Sequence, residues 1–423
     1  MSLPITAVTP VRASKSEHEG GGVSERHSLQ FGVYRDGDNN LDEAQSPVID
    51  QARDVTQADS SIAVNVEDTT QRDDEVGPDG LLRTEEYDFV GGEQKHVDVA
   101  APQDMAARST LTRFVEHTLD EAEHNGAKST WLDLVDHGGG DGGAFQTNIS
   151  GGKVMKEDDI AGAIADGIKD HAQAHPEDAG RGVDGVLLNA CLMASLGAES
   201  SLSHAGVRYL AASPETMIAP GAPSEIAEDI ARNQDDPAAM AKAMVHRTMT
   251  THYGIGDVKF GPAAAFDVLD LDPKKIANME QSVKQLNSAI VAAAKNQATK
   301  SEIKADGRDV EGMTRSQAPG LPWHADRPAE ELYGNLASDT SLPLELRTAA
   351  HKAVAAIAAT VLAHGESKDF APFGDESYRD AAGPTVHFPT SKRQIDPWAP
   401  KISETRNEFA REVGEATVAK ALA

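Results

Sequence analysis

Short apolar segments alternate with amphipathic stretches along the first two thirds of the chain. Seven segments have the apolar character of strands: 28–40, 61–68, 80–90, 129–140, 183–190, 207–215 and 262–271. Five have the apolar spacing of helices: 103–123, 156–175, 191–205, 222–232 and 237–252. Strands that alternate with helices favour a mostly parallel sheet covered on both faces, so the pattern predicts an α/β fold.

The pattern changes beyond residue 271, where helical segments dominate. Residues 272–304 predict a helix of more than 20 residues, and residues 343–365 predict a strongly apolar helix. A polar helix from about Ser403 is expected to end the chain. Residues 272–423 are therefore predicted to form a mainly helical C-terminal extension that packs on the sheet domain.

The predicted domain organisation has two further features. The extension contributes a late strand near residues 384–388, and the sheet domain itself spans residues 29–271. Residues 1–28 are polar and rich in Gly and Ser, which is typical of a disordered tail. This tail lacks the apolar core of a secretory signal, so we expect a cytoplasmic protein or one exported without such a signal.

Composition narrows the classes of partner. The formal charge is −29 for 423 residues, whereas binding to nucleic acid or an anionic membrane needs a basic face. The chain has a single cysteine, Cys191, which cannot form an internal disulfide. Neither nucleic acid nor a membrane is therefore expected as a partner, and the oligomeric state stays open.

Two polar segments follow predicted strands at positions suited to catalysis. Asp136 and His137 follow one strand, and Asn189 and Cys191 follow another. In parallel sheets chemistry gathers at the carboxyl ends of the strands. The predicted helix over 191–205 would place the thiol at a helix N-terminus, which lowers a thiol pKa. A histidine is the usual base for such a nucleophile.

Each feature also has a structural interpretation. A lone cysteine after an apolar strand is commonly an inert buried residue, and a lone histidine in a loop is commonly solvated. The glycines in "GGGDGG" after His137 either form a flexible loop or free N–H groups for a developing oxyanion. Their joint position at two strand ends favours the catalytic interpretation. A metal-dependent hydrolase is disfavoured because no H-E-x-x-H or comparable ligand cluster occurs, so no metal ligands are predicted.

The segment "DGDNNLDE", residues 36–43, spaces its oxygen ligands like a calcium loop. An EF-hand needs Gly at its sixth position and Glu at its twelfth, but Leu41 and Pro47 stand there. The EF-hand is therefore rejected. A turn and helix cap at a strand end is the favoured interpretation, and a different calcium site is left open.

The segments "DHGGG" (136–140) and "NACLMASLGAE" (189–199) resemble the catalytic segments of the clostripain-like cysteine peptidases. Supporting similarity lies in residues 31–41, 209–221 and 383–389. These peptidases belong to the same clan as caspases, whose histidine also precedes the cysteine by about 50 residues. The resemblance implies a caspase-like α/β/α sandwich.

The resemblance also implies an activity, which is peptide-bond hydrolysis through a thioester acyl-enzyme. By position, His137 is the general base and Cys191 the nucleophile of a dyad. The N–H groups of Gly138 and Cys191 would form the oxyanion hole. The partner would be a protein or peptide substrate, and no cofactor is required. Some members respond to calcium, so calcium stimulation is an open expectation.

One position departs from the family pattern and affects specificity. The family usually has Asp two residues before the nucleophile, on the wall of the S1 pocket, where this chain has Asn189. An amide supplies no charge to a substrate Arg or Lys, so basic specificity is expected to be weakened. Glu215 is the residue expected to compensate. Self-cleavage is expected between the two catalytic segments, with Lys153 and Lys156 as candidates. The rival hypothesis is a catalytically inactive caspase-like binding or scaffold protein.

Overall fold

The computed structural model describes residues 27–70, 83–147, 149, 151–255, 258–310, 326–367, 383–388 and 407–422. Its strands are β1 (Leu29–Asp36), β2 (Ile62–Thr70), β3 (Arg83–Val90), β4 (Glu93–Ala100), β5 (Ser129–Val135), β6 (Ala144–Thr147), β7 (Lys153–Met155), β8 (Gly185–Asn189), β9 (Tyr209–Ala212), β10 (Tyr253–Ile255), β11 (Val258–Phe260), β12 (Ala265–Asp270), β13 (Asp326–Pro328), β14 (Val361–Glu366) and β15 (Thr385–His387). The predicted tail lies almost wholly outside the described residues.

The helices are α1 (Asp42–Gln45), α2 (Pro47–Ala58), α3 (Arg108–His124), α4 (Glu157–Ala174), α5 (Leu196–His204), α6 (Ile226–Asn233), α7 (Pro237–Thr250), α8 (Pro273–Ala293), α9 (Gln297–Asp309), α10 (Ala329–Ser338), α11 (Leu344–Ala358), α12 (Glu408–Val413) and α13 (Glu415–Leu422). Short 3₁₀ turns lie at Gly140–Gly142 and Pro176–Asp178. Among these described helices, none combines the length and the apolar character needed to cross a bilayer.

A large mixed sheet organises the chain, with the strand order β14-β12-β9-β8-β5-β1-β2-β3-β4. The five central strands, from β9 to β2, are parallel. The outer strands β3 and β4 on one side and β12 and β14 on the other are antiparallel. The prediction of a mostly parallel sheet therefore holds for the centre, where the strand ends carry the candidate chemistry.

Helices cover both faces of this sheet, as the α/β prediction required. Side chains alternate between the faces of a strand. In β8, Val186 and Leu188 enter a core that they share with residues of α3, α4 and α8. Leu187 enters the opposite core, with residues of α2, α6 and α7. The strand is buried on both faces, which explains its continuous apolar sequence.

The register of β5 and β8 places the two candidate segments side by side. These strands are parallel neighbours, and Val135 pairs with Asn189. His137 and Cys191 each lie two residues beyond that pair. The two chains therefore leave the sheet at the same level, and the catalytic segments begin as neighbours.

The C-terminal extension differs from its prediction in two places. The helix predicted over 272–304 is divided into α8 and α9, and the side chain of Asn296 accepts hydrogen bonds that cap α9. The segment predicted as one apolar helix ends α11 at Ala358 and continues as β14, which pairs with β12. The change of pattern beyond residue 271 also favours residues 262–271 as the last main strand, which is wrong, because β12 takes a further partner from the extension.

The late strand predicted near residues 384–388 is β15, but it does not join the main sheet. It pairs with β13 in a small antiparallel sheet. Thr385 also forms a parallel bridge with Ser195. Its N–H donates to the carbonyl of Ala194 over 2.9 Å. The extension thus contacts the segment that follows Cys191.

Candidate active site

The loops after β5 and β8 meet through their main chains at Gly138. A Cβ atom built on Gly138 would lie 2.2 Å from the carbonyl oxygen of Cys191 and 2.9 Å from its nitrogen. It would also lie 2.9 Å from Cβ of Ala190. No side chain fits in that space. The glycine after His137 is therefore what lets the histidine loop approach the cysteine loop this closely.

His137 is held by an amide from the loop after β1. Its Nε2 lies 2.9 Å from Oδ1 of Asn40. An amide oxygen only accepts hydrogen bonds, so Nε2 carries the ring proton and Nδ1 keeps a lone pair. Burial lowers the pKa of His137 below its usual value, which favours the neutral ring. The histidine is thus in the form that a general base requires.

The carboxylate of Asp136, the residue before His137, accepts hydrogen bonds from the neighbouring loops and not from the imidazole ring. Its carboxylate accepts a hydrogen bond from Nδ2 of Asn39 over 2.7 Å and another from the N–H of Gln146 over 2.7 Å. Burial raises its pKa well above the ordinary aspartate value, and the nearby charge of Asp36 adds to that rise. This buried carboxyl therefore ties the loop after β1 to the loop after β5.

Two carboxylates of residues 36–43, those of Asp38 and Asp42, are engaged within the protein. Asp38 accepts hydrogen bonds from the hydroxyl of Thr147 and the N–H of Ile149. Asp42 accepts from the guanidinium of Arg35 at 2.7 Å. These contacts agree with the interpretation of the segment as a turn that begins a helix, and calcium binding stays a prediction. The sequence analysis missed the use of Asn40 because it weighed this segment only as a turn and helix cap or as a cation loop.

The thiol of Cys191 is half-buried. It contacts the main chain of Met217 both as a hydrogen-bond donor and as an acceptor. Sγ lies 3.3 Å from the carbonyl oxygen of Met217 and 3.3 Å from its nitrogen. Burial raises the thiol pKa, and the charges of Glu215 and Asp136 raise it further, whereas the Met217 N–H opposes the rise. A raised pKa favours the protonated thiol over the thiolate.

The prediction that a helix starts at Cys191 is wrong. Helix α5 begins at Leu196, and Ser195 caps it by accepting a hydrogen bond from Ala198 N–H. Cys191 therefore lies in a turn outside the helix dipole. The expected lowering of its pKa by a helix N-terminus does not occur.

The turn forms because its backbone pairs with a distant segment. The N–H of Leu192 donates to the carbonyl of Glu215 over 2.9 Å, and the N–H of Ala194 donates to the carbonyl of Ser213 over 3.0 Å. Leu192 has a φ of 67°, which is rare for a non-glycine residue. These long-range hydrogen bonds outweigh the local helix propensity of residues 191–195.

Asn189 joins the end of β8 to the loop after β9. Its Oδ1 accepts from the N–H of Ala222 over 2.8 Å, and its Nδ2 donates to the carbonyl of Ala222 over 3.2 Å. Gly221 has a φ of 92°, and a Cβ there would lie 2.1 Å from Asn189 Oδ1. The amide therefore has a positioning function at the site where the sequence analysis expected an S1 pocket wall.

Two buried carboxyl groups flank this region. Glu215 is buried, and its Oε2 accepts the N–H of Thr216 over 3.0 Å. Asp133 on β5 is also buried, and this burial raises its pKa to about 8, against a lowering by the Asn189 amide. The sequence analysis named Glu215 but missed Asp133, which lies inside a strand rather than at its end.

The two lysines considered for self-cleavage lie on a hairpin beside the site. Strands β6 and β7 pair antiparallel, and Lys153 begins β7. Lys156 immediately precedes α4, and both lysines are exposed. Gly151 and Gly152 at the tip have φ values of 74° and 77°, as tight hairpin turns require. The glycines and polar residues of this segment favour a loop, but residues 153–155 form a strand.

Known proteins resemble this chain in sequence and in fold. The sequence matches the model of the clostripain family over residues 33–354, which is more than half of the chain. No curated protein sequence matches the chain.

Solved structures of similar fold include proteins from Parabacteroides distasonis and Bacteroides thetaiotaomicron. An inactive zymogen C11 protease from Parabacteroides distasonis aligns with a TM-score of 0.61 at 16% identity, over 92% of this chain and 98% of that one. A secreted C11 cysteine protease from Bacteroides thetaiotaomicron aligns with a TM-score of 0.61 at 12% identity, over 92% and 99%. A secreted C11 cysteine protease from Bacteroides thetaiotaomicron in complex with an irreversible peptide inhibitor aligns with a TM-score of 0.60 at 13% identity, over 92% and 99%. These similarities confirm the caspase-like fold class.

Proposed function

Because this chain belongs to the clostripain family of peptidases, we propose that it is a cysteine endopeptidase that uses Cys191 and His137 on proteins or peptides. The observation that carries the proposal is the contact between the main chains of Gly138 and Cys191, which brings the histidine loop to the cysteine loop. The neutral state of His137 supports the same assignment.

The proposed reaction has two steps. Nδ1 of His137 takes the proton of the Cys191 thiol as Sγ attacks the scissile carbonyl, and the C–N bond breaks as His137 returns that proton to the leaving amine. Water then attacks the thioester with His137 again as the base, the C–S bond breaks, and the proton returns to Sγ of Cys191. The N–H groups of Gly138 and Cys191 stabilise the negative oxygen in both tetrahedral intermediates.

We propose further that the form described here is latent. The main chain of Met217 engages both hydrogen-bonding functions of Sγ, and the thiol pKa is raised. Cleavage after Lys153 or Lys156 would free the hairpin, which pairs with the histidine loop through Ala144 and Gly138, and so let the active-site loops rearrange. Among the structures of similar fold is a zymogen, which supports this assignment.

For specificity, we propose a weakened preference for Arg or Lys at P1. Asn189 is engaged with Ala222 and brings no charge. Glu215 is the acidic residue closest in chain position to the Met217 contact, and its charge acts on Cys191. A buried guanidinium needs such a carboxylate, because an unpaired buried charge is costly.

A second candidate function is a catalytically inactive binding or scaffold protein with the same fold. The raised thiol pKa and the engagement of Sγ by Met217 favour it. It differs from a latent peptidase in one respect, because no cleavage event would convert the thiol into a fast nucleophile.

The deciding experiment combines covalent labelling with turnover. The purified chain is treated with an acyloxymethyl ketone probe that carries Arg or Lys, before and after limited cleavage, and a peptide library is then digested. Cys191→Ala and His137→Ala are expected to lose at least about a thousandfold in kcat/KM while they keep the fold. His204→Ala, an exposed histidine on α5, is the matched control and should retain activity. Absence of labelling and turnover in every form would support the inactive alternative, and turnover by the Cys191→Ala protein would exclude the dyad.

A further inference from the structure

The small sheet of the C-terminal extension lies against the glycine turn, residues 138–143, which follows the candidate histidine. In this sheet β13 and β15 pair antiparallel, and Asp326 lies opposite His387. A Cβ atom built on Gly140 would lie 3.0 Å from Oδ2 of Asp326 and 3.4 Å from the carbonyl oxygen of Leu192. The glycine turn therefore packs against both a carboxylate from the extension and the segment that carries the candidate nucleophile.

Hydrogen bonds within the glycine turn tie its residues to one another. The N–H of Gly139 donates to the carbonyl of Gly143 over 2.9 Å, and the N–H of Gly143 donates to the carbonyl of Gly140 over 2.8 Å. The N–H of Gly138, the proposed oxyanion donor, donates to none of the residues that the structure describes. A displacement at Gly140 would therefore pass through the turn and change the position of a free N–H group.

A histidine on the paired strand holds the carboxylate of Asp326. Oδ1 of Asp326 lies 2.9 Å from Nδ1 of His387, and both side chains are buried. A carboxylate oxygen accepts hydrogen bonds, so the imidazole donates. Nε2 of His387 makes no hydrogen bond within the described parts of the chain. The hydrogen bond to Asp326 is therefore the polar contact by which this buried ring is fixed.

The two faces of β15 have different functions in packing. Val386, and Phe388 just after the strand, enter the core that the extension shares with the main sheet. Thr385 and His387 lie on the opposite face, since side chains alternate along a strand. Burial of a carboxylate costs desolvation energy that an apolar pair would not. Stability of the extension therefore accounts for the apolar face but not for the pair of Asp326 and His387.

The same strand also reaches the turn after Cys191. The N–H of Thr385 donates to the carbonyl of Ala194 over 2.9 Å, and Thr385 forms a parallel bridge with Ser195. The glycine turn and the cysteine turn already meet at Gly138. With the Asp326 carboxylate against the glycine turn, these contacts form a closed ring that includes the proposed oxyanion hole.

We propose that Asp326, held by His387, is a positioning residue that keeps the glycine turn in place so that the N–H of Gly138 faces the developing oxyanion. This positioning function rests on the proposed peptidase activity and gives the C-terminal extension a part in it. Both side chains act through Gly140 and not on the substrate. Oxyanion donors must lie about 2.7–3.1 Å from the negative oxygen, so a small shift of the turn weakens the stabilisation.

The test compares reactions of Cys191 that differ in their need for an oxyanion hole. Hydrolysis of a peptide and reversible addition of the thiol to a peptide aldehyde both make a carbonyl carbon tetrahedral, whereas alkylation by iodoacetamide does not. All three reactions are measured on the full chain, in the form that cleaves peptides. Asp326→Ala and His387→Leu break the pair from opposite sides, and thermal unfolding shows that each variant is folded.

Both variants should lower kcat at least about tenfold with little change in KM, since loss of an oxyanion donor costs about a hundredfold to a thousandfold. The affinity for the aldehyde should fall by a similar factor, while iodoacetamide reacts within about twofold of the parent rate. His387→Asn should recover much of the activity that His387→Leu loses. Its amide can donate to Asp326 as Nδ1 does, and it gives up no hydrogen bond of Nε2 to the described residues.

Asp120→Ala is the matched control, because Asp120 also lies against Nδ1 of a buried histidine, His171, at 2.7 Å. That pair lies on α3 and α4, which precede β5 and β8, so the variant should react like the parent. Parental kcat and aldehyde affinity in Asp326→Ala would overturn the positioning function alone. So would alkylation that falls as much as turnover, or equal losses in His387→Asn and His387→Leu. Absence of turnover in every form of the parent would overturn the peptidase activity, and the positioning function with it.

Discussion

The amide oxygen of Asn40 lies 2.9 Å from Nε2 of His137, across 97 residues of sequence. This contact sets the tautomer of the ring and leaves Nδ1 as the basic nitrogen. A carboxylate in place of the amide would stabilise the imidazolium and raise the pKa of the base. The use of a neutral partner is consistent with the lowered pKa of His137.

The first prediction concerns Asn40 as a positioning residue. Asn40→Ala should lower kcat by about 10–100-fold with little change in KM, because the ring loses its orientation but the substrate contacts remain. Asn40→Asp should restore part of the rate and move the acid limb of kcat/KM to higher pH. The measurement is the pH profile of both variants. Equal profiles for Asn40→Ala and Asn40→Asp would contradict the positioning function.

The second prediction concerns the close approach at Gly138. Gly138→Ala should lose at least about a hundredfold in kcat/KM, because the added carbon would stand 2.2 Å from the Cys191 carbonyl and push the two loops apart. Gly142→Ala is the matched control, since nothing lies within 4 Å of a Cβ there. Normal turnover by Gly138→Ala would show that this contact is not needed for activity.

The third prediction concerns the buried carboxyl of Asp133. Its pKa in the folded chain is about 8, above the ordinary aspartate value of 3.8. A raised folded-state pKa gives stability that is complete below about pH 4 and is lost as the pH rises through about 8. The free energy of unfolding of Asp133→Asn, relative to the parent, should therefore increase by up to about 1.4 kcal/mol per pH unit across that range.

Urea unfolding at pH 5, 6, 7 and 8 checks this prediction about Asp133. Asp235→Asn, which removes an exposed carboxylate near α7, is the control and should show no such trend. A difference between parent and Asp133→Asn that is constant with pH would mean that Asp133 is ionised in the folded chain throughout.

The fourth prediction distinguishes the positioning function of Asn189 from the substrate-binding function proposed for Glu215. Asn189→Asp should lower stability by about 1–3 kcal/mol, because a carboxylate cannot donate to Ala222 and would face its carbonyl. Glu215→Gln should lower kcat/KM for Arg substrates more than for substrates with a neutral P1 residue. Thermal unfolding and a paired-substrate assay measure the two effects. Unchanged Arg turnover in Glu215→Gln would remove Glu215 from the S1 assignment.

The fifth prediction concerns latency. In a chain with Lys153→Ala and Lys156→Ala, iodoacetamide should alkylate Cys191 slowly at pH 7 and faster as the pH rises above about 8.5, because the thiol pKa is raised. A chain that has been cut in the hairpin should react faster at pH 7. Mass spectrometry of the labelled peptide gives both rates. Identical rates in the cut and uncut chains would show that cleavage does not activate the thiol.

The positions of His137 and Cys191 could be predicted from the sequence because each follows a buried strand. Parallel neighbours place their carboxyl ends at one edge, and β5 and β8 are such neighbours. Asn40 could not be found in this way, since its contact with His137 depends on how the loop after β1 folds over that edge. The sequence of residues 36–43 indicates only the spacing of its oxygen-bearing side chains and not which residues they contact.

Two errors of the sequence analysis share a physical cause. Local propensity favoured a helix at Cys191, but backbone pairing with Ser213 and Glu215 imposed a turn. Local propensity also favoured one helix over residues 343–365, but the edge of β12 recruited residues 361–366 as a strand. In both places hydrogen bonds to distant residues decided the structure.

The hydrogen bond from Thr385 to Ala194 has a consequence for the order of events in the cell. The two residues are separated by 191 positions. At translation rates of about 5–20 residues per second, roughly 10–40 s pass between their synthesis. During that interval the turn after Cys191 lacks a strand-like contact that the finished chain has. A growing chain therefore completes the contacts of the turn after Cys191 only once residue 385 has been made, long after Cys191 itself.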